Sequence, residues 1–264
     1  MADFKHDTSW CAMRGGRITD ELHHNGLSND GTTEYLRKLV QQYPKNVTVY
    51  HKGKSEGSSV SPFWDGKIAM VNAPLKNIEE ECLLWEIDVD ELWIAEQICI
   101  ARDMFISHPE HMAAYYLCHF FVGRSLIITT INTYGNHTEY EWLRTWRFKP
   151  GYRWAAHEPP ILCRLLNGGR EQNVAADMPF RYDETRVRGL IFQHYAYVIK
   201  KQLAFKEIYY GYKGAIEQWL HLQRCNTFPI FLRDYFSWVG DGAQVNTVQS
   251  QNIKPLFELK EEDK

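Results

Sequence analysis

The chain has 264 residues, of which 44% are hydrophobic and 24% charged, and it carries a formal net charge of -3 with a pI near 6.4. This composition is typical of a globular protein with a sizeable core, and it excludes a general basic field that would favour nucleic acid. No apolar run approaches the roughly 20 residues that span a bilayer, and the start lacks the apolar core of a signal peptide. We expect a soluble, cytoplasmic protein without a transmembrane segment.

The N-terminal part of the chain predicts helices and strands in alternation. Residues 1–27 show no periodicity and are predicted to be irregular. The predicted order is then a helix from Ser28 to about Tyr43, a strand over 46–50, a loop over 53–62, a helix opened by Trp64 to Lys67, and a strand over 83–87. This order is typical of a mostly parallel α/β sheet, in which ligands bind at the carboxyl ends of strands.

The C-terminal part predicts more strands and then mainly helix. We predict a helix over 94–106, strands over 114–121 and 125–131, and a long helical stretch over 191–223 that breaks, if at all, near Gly211 or Gly214. The predicted fold class is therefore α/β. A single Rossmann-like domain with a mixed, mainly parallel central sheet covers 1–190, a helical C-terminal extension packs on it over 191–257, and a disordered tail follows over 258–264.

An acidic cluster at the end of a strand is the most informative part of the sequence. The run from Leu83 to Ile87 is apolar, and Asp88, Asp90 and Glu91 follow it. We predict a turn at Val89 that lets both aspartates reach one ligand. Clustered carboxylates repel unless a cation or a shared proton compensates them, and oxygen ligands suit magnesium or manganese. The alternative is a solvated acidic turn.

A second informative segment lies between Tyr140 and Pro160. Three arginines alternate there with three tryptophans, namely Arg144, Arg147 and Arg153 with Trp142, Trp146 and Trp154. These residues either line a cleft for an acceptor or a phosphate, with Trp154 as the substrate-binding candidate, or alternate between core and surface in strands. His157 and Glu158 follow, and two prolines after them give a rigid loop.

Three motifs together resemble the GT-A-fold glycosyltransferases, especially the family-2-like enzymes. The segment 28–32 is similar to the family's S-x-D-G-T, Asp88 to Asp90 is similar to its DxD motif at a strand end, and His157 is similar to its late metal-binding histidine. The likeness spans roughly residues 28–160 and implies a GT-A-like catalytic domain. It also implies a metal-dependent transfer of a sugar from a nucleotide-sugar donor to a glycan or another hydroxyl acceptor.

The resemblance implies a role for each candidate residue. Asp88, Asp90 and His157 would bind Mn²⁺ or Mg²⁺, which bridges the phosphates of the departing nucleoside diphosphate. Asp30, Lys67 and Asp88 would bind the substrate, with Lys67 near a phosphate unless it is only a solvated charge. A general base is needed only if the configuration at the sugar is inverted, and Glu91 and Glu158 are the nearest candidates for it.

The sequence departs from the family at its start. The family begins with an apolar strand that contacts the nucleotide, and acids are typical where this chain has Asn25, Gly26 and Leu27. Two alternatives therefore stay open. One is a catalytically inactive GT-A-like domain that binds glycans or proteins, and the other is a metal-dependent phosphohydrolase built on the same carboxylates.

Overall fold

A computed structural model of the chain describes residues 16–52 and 63–257. These residues form two compact units. The first unit contains the described residues up to Ile78 together with 208–211, and the second contains the described residues of 79–207 and from 212 onward. This division does not coincide with the predicted boundary at residue 190. The predicted loop over 53–62, the predicted tail over 258–264 and the first fifteen residues of the predicted irregular start lie outside the described residues.

The first unit is small and mainly helical. Its elements are β1 (His23–His24), β2 (Leu27–Ser28), α1 (Thr32–Gln42), α2 (Lys67–Asn72) and a 3₁₀ helix (Pro74–Asn77). The two strands pair antiparallel through Asn25 and Gly26, which both adopt the positive φ that a tight hairpin turn requires. The helix predicted to end near Tyr43 is confirmed.

The strand predicted over 46–50 is wrong. The amides of Asn46 and Val47 donate to the carbonyl of Tyr43 at 3.0 and 2.9 Å, so the chain turns back on the end of α1. Residues 47–50 pair with no strand in the described part of the chain. Alternation of β-branched residues marks a strand only where a partner strand is available to it.

The second unit contains three sheets and several helices. Its strands are β3 (Cys82–Trp85), β4 (Glu91–Leu92), β5 (Ala113–Tyr115), β6 (Leu117–Phe121), β7 (Leu126–Ile128), β8 (Leu143–Phe148), β9 (Arg153–His157), β10 (Pro160–Leu165), β11 (Glu171–Asn173), β12 (Ile191–His194), β13 (Ile230–Phe231) and β14 (Gln244–Thr247). Its helices are α3 (Ala95–Ser107), α4 (Tyr182–Arg186), most of α5 (Lys200–Tyr209) and α6 (Ala215–Leu222), with 3₁₀ helices at Val174–Ala176 and Leu232–Asp234. The helix predicted over 94–106 is thus confirmed, and the strand predicted over 125–131 is present as β7. The single strand predicted over 114–121 is instead divided into β5 and β6, which belong to different sheets.

The fold class is α/β with a mixed sheet, but the prediction of a mainly parallel sheet is wrong. The six-stranded sheet has the order β13-β14-β7-β6-β12-β4, and the other two sheets have the orders β3-β8-β5 and β11-β10-β9. Among the described residues, β6 and β12 form the one parallel pair. The short connection between β6 and β7 permits only antiparallel pairing, whereas the long connection from β6 to β12 permits a parallel crossover.

The predicted helical extension over 191–257 contains two helices but also contributes three strands to this sheet. Ile191–His194 forms β12 between β6 and β4, and β13 and β14 continue the same sheet at its other edge. The long helical stretch divides into α5 and α6, separated by a break that includes Gly211 and Gly214, which both have positive φ. A continuous apolar run is ambiguous between helix and strand, and here the neighbouring strands decide it.

The core of the second unit lies on both faces of its central strands. Four of the five residues of β6 are buried, which explains why this strand reads as a continuous apolar run rather than an alternating one. On one face Phe121 and Ile127 pack with Tyr195, Val198 and Val248. Within the described residues no helix is both long and apolar enough to cross a membrane.

Candidate functional site

The acidic segment, residues 86–91, connects two sheets of the second unit. At its start β3 pairs with β8, and the amide of Glu86 donates to the carbonyl of Arg144 at 2.9 Å. At its end β4 pairs with β12, so that Glu91 lies opposite His194 and the amide of Tyr195 donates to the carbonyl of Asp90 at 2.8 Å. Backbone pairing therefore holds the carboxylates of this segment between Arg144 and His194.

The turn predicted at Val89 is confirmed. The amide of Glu91 donates to the carbonyl of Asp88 at 3.0 Å, and the side chain of Val89 is fully exposed at the tip of the turn. The two aspartates do not converge on one point, however. Asp88 Oδ2 lies 3.7 Å from an Arg144 nitrogen, whereas Asp90 Oδ1 lies 3.4 Å from His194 Nε2.

Glu91 and Arg144 form a buried bidentate ion pair. The Arg144 Nε donates to both carboxylate oxygens of Glu91, at 3.1 and 3.0 Å, and Nη2 donates to Oε1 at 2.6 Å. Burial alone would lower the pKa of Arg144, but Glu91, Asp88 and Glu86 together raise it, so the guanidinium stays charged. Because the Glu91 carboxylate is committed to this pair, the geometry does not favour Glu91 as a general base, and that role stays a prediction.

The β9–β10 hairpin brings His157 and Glu158 to the acidic segment. His157 Nε2 lies 3.5 Å from Glu86 Oε1, and its Nδ1 lies 3.8 Å from Glu158 Oε1. The His157 loop therefore lies beside the start of the acidic segment. The carboxylates in contact with His157 are those of Glu86 and Glu158 rather than that of Asp90.

Asp90 stays ionised although it is partly buried. Burial alone would raise its pKa, but the hydrogen bond from His194 and the positive charges of His194 and Lys206 lower the pKa to about 2. The His194 ring is held edge to face by Phe120 and Trp142, with ring centroids 4.8 and 5.1 Å apart. Asp90 therefore remains charged at all pH values at which the protein is expected to work.

Glu141 is a candidate that the sequence did not reveal. Burial and, to a smaller extent, the negative charge of Glu158 raise the pKa of Glu141 to about 7, against the opposing effects of the His137 backbone, Arg144 and His194. A carboxyl group that titrates near neutrality is suited to proton transfer. The one signal in the sequence is a glutamate enclosed by Tyr140 and Trp142.

The predicted metal ligands are not arranged as a metal site. Among the described residues no three His, Cys, Asp or Glu side chains are placed so that they could hold a metal ion. Asp88, Asp90 and His157 instead face Arg144, His194 and Glu86. The present arrangement therefore does not fit Mn²⁺ or Mg²⁺. The binding of either ion stays a prediction. The excess of carboxylates over the permanent cations Arg144 and Lys206 is the one feature that favours a cation here.

The remaining predicted substrate-binding residues are Trp154, Asp30 and Lys67. Trp154 is only 4% exposed and packs edge to face on Trp146 at 4.8 Å, so its burial does not favour a substrate contact, which stays a prediction. Asp30 and Lys67 belong to the first unit. The Asp30 carboxylate accepts from the amide of Thr32 at 3.0 Å at the start of α1, and Lys67 is the first residue of α2.

Comparisons of the chain with family models, with curated proteins and with solved structures find no match in any of the three. The chemistry of this cluster must therefore be argued from its own geometry.

Proposed function

We propose that the chain is a glycosyltransferase that moves a sugar from a nucleotide-sugar donor to a hydroxyl group of a glycan or another acceptor. The observation that carries the proposal is Glu141, a carboxyl group with a pKa of about 7 that lies within the electrostatic reach of Glu158, Arg144 and His194. Transfer with inversion requires a base that removes the proton of the attacking hydroxyl, and such a base works best when its pKa is close to the ambient pH.

Glu141, Glu158 and Arg144 have different roles in this reaction. Glu141 accepts the proton of the acceptor hydroxyl, and the nearby charge of Glu158 makes proton uptake more favourable. Arg144 fixes the acidic segment through Glu91 and Asp88, and its Nη1 donates to the backbone carbonyl of Glu141 at 2.8 Å. Arg144 therefore acts as a positioning residue for the base, since its own charge is already committed to Glu91.

The decisive experiment is a screen of nucleotide-sugars, with release of the nucleoside diphosphate and the anomeric form of the product followed by NMR. The kcat/KM of the wild-type protein should rise with pH through about 7, because only the ionised form of Glu141 accepts a proton. Glu141→Gln should lower kcat by about 10²–10⁴-fold while donor binding is retained. The matched control is Glu139→Gln, an exposed neighbour that pairs with Arg181 at 3.2 Å.

The pH profile of a second variant separates a base from a structural residue. Glu158→Gln removes a negative charge that raises the pKa of Glu141, so the rise in kcat/KM should move to lower pH. A profile that stays in place in Glu158→Gln would contradict the assignment of Glu141 as the base. If the wild-type protein neither binds nor cleaves any nucleotide-sugar, the proposed function fails.

A second candidate is a non-catalytic domain that binds glycans. It is favoured by the internal ion pairs of Asp88 with Arg144 and of Asp90 with His194. These pairs occupy both carboxylates of the DxD-like segment. Glycan binding that survives both EDTA and Asp90→Ala, without any cleavage of a donor, would support this candidate. Release of inorganic phosphate from simple esters would instead indicate the phosphohydrolase alternative.

A further inference from the structure

The loop between β7 and β8 places two aromatic rings beside Glu141. The amide of Glu141 donates to the carbonyl of His137 at 3.0 Å, which closes one helical turn and gathers His137, Tyr140 and Glu141. The rings of His137 and Tyr140 stack with centroids 4.6 Å apart and planes inclined by 29°. His137 therefore supports one face of the Tyr140 ring.

Tyr140 differs from the other aromatic residues near the cluster in its exposure. Its side chain is 41% exposed although His137 stacks on it, whereas Trp142 and Tyr197 are buried. An exposed ring held rigidly next to a titrating carboxyl group is a surface on which an apolar face of a ligand can stack while its polar edge meets the carboxylate. A sugar ring has both an apolar C–H face and a polar hydroxyl edge.

We propose that Tyr140, supported by His137, is the acceptor subsite of this protein and stacks one neutral sugar ring so that a hydroxyl group faces Glu141. This inference rests on the proposed glycosyl transfer and names the class of acceptor that it uses. Tyr140 contacts the sugar, Glu141 takes the proton, and His137 is a positioning residue that holds the Tyr140 ring.

The charges around Tyr140 select a neutral sugar over an acidic one. Burial raises the pKa of Tyr140, and the negative charges of Glu141 and Asp241 raise it further, so both carboxylates act at the position of this ring. Glu139 lies next to Tyr140 in the chain and is balanced by Arg181 at 3.2 Å. A uronic acid or a sugar phosphate stacked on Tyr140 would bring a like charge close to Glu141 and Asp241, which disfavours binding.

Binding can be measured without any donor, by calorimetry and saturation-transfer NMR with methyl glucoside, galactoside, mannoside and glucuronide. We expect at least one neutral glycoside to bind, the glucuronide to bind about tenfold more weakly than the glucoside, and Tyr140→Ala to weaken binding about tenfold. Tyr140→Phe keeps the ring and should stay within about twofold of wild type. The control Phe231→Ala removes another exposed ring of the same unit and should leave binding unchanged.

Each outcome separates this inference from the proposed function. Binding that is lost in Tyr140→Ala, in a protein that cleaves no donor, supports Tyr140 as a sugar-binding ring and overturns both glycosyl transfer and the acceptor role of this subsite. Donor cleavage by a protein whose glycoside binding is the same in Tyr140→Ala, or which binds none of the four glycosides, overturns the subsite and leaves the transferase intact. Tighter binding of the glucuronide than of the glucoside overturns the assignment of the ligand to neutral sugars.

Because Tyr140 lies on the surface, the unfolding midpoint of Tyr140→Ala should match that of wild type. NMR contacts between aromatic protons and the sugar provide a test that needs no variant.

Discussion

Replacing Arg144 with Met should destabilise the protein by about 3–5 kcal/mol at pH 7. The Glu91 side chain is fully buried and that of Arg144 is 7% exposed, so the substitution leaves a carboxylate in the interior with no cation in contact. The loss comes mainly from this uncompensated charge rather than from the value of the ion pair itself. A smaller part, about 1 kcal/mol, comes from the hydrogen bond that Arg144 donates to the carbonyl of Glu141.

The assay is a double-mutant cycle by urea unfolding, with Arg144→Met, Glu91→Leu and the combination of the two. Because a buried ion pair exchanged for apolar groups of similar volume is often neutral, the double variant should lose only about 1–2 kcal/mol. The coupling free energy is the loss in Arg144→Met plus the loss in Glu91→Leu minus the loss in the double variant, and it should be at least about 2 kcal/mol. If Arg144→Met and the double variant are equally destabilised, the argument from the buried charge is refuted.

The pH dependence of Arg144→Met provides a second check on the same reasoning. A buried Glu91 without a cation has a pKa in the folded state above its unfolded value, so its protonated form is the one that folding favours. The variant should therefore recover stability, relative to the double variant, as the pH falls through the folded pKa towards the unfolded pKa of about 4.3. If Arg144→Met instead recovers stability as the pH rises, the assigned direction of the Glu91 pKa shift is contradicted.

Three further predictions concern stability and are measured by unfolding. The low pKa of Asp90, about 2, stabilises the fold above the unfolded value of about 3.9, so wild type should lose about 2 kcal/mol between pH 4 and 2, whereas Asp90→Asn should lack this slope. The side chain of Gln97 accepts from the amide of Ile94 at 3.1 Å and donates to the carbonyls of Gly189 and Ile191 at 2.9 and 2.8 Å. Gln97→Ala should therefore lower the free energy of unfolding by about 2–4 kcal/mol, and a loss below about 1 kcal/mol would contradict this role. Trp154→Ala should cost about 3–5 kcal/mol without changing glycoside affinity, and a selective loss of binding would restore Trp154 as a substrate contact.

Features fixed by local patterns were predictable from the sequence. The helix over 95–107 has a recurring apolar face and a glutamine that caps its first turn, and the turn at Val89 follows from two acids at the end of an apolar strand. In both cases residues within four positions of each other determine the conformation. The segment 191–194 is different, because its strand conformation depends on β6 and β4, which lie about seventy to one hundred residues earlier in the chain.

The partners of the candidate site depend on the same long-range pairings. Two acids at a strand end predict a common ligand, but the register of β3 on β8 places Arg144 beside Asp88, and the register of β4 on β12 places His194 beside Asp90. The sequence contains every one of these residues yet does not show which of them meet. The DxD-like pattern therefore predicted the position of the clustered carboxylates, but it did not predict which positive side chains pair with them.

Glu141 shows why chemistry is harder to predict than position. Its raised pKa comes from burial and from the charge of Glu158, seventeen positions later in the chain, whereas Glu139, two positions before it, is exposed and paired with Arg181. Nothing in the local sequence distinguishes these two glutamates as proton acceptors, since the difference arises mainly from the burial of Glu141 in the fold, with a smaller contribution from the charge of Glu158. A comparison of Glu141→Gln with Glu139→Gln is consequently a test of the mechanism with a matched exposed control. If the two variants behave alike in kcat and in the pH profile, Glu141 is not the base and the proposed mechanism fails.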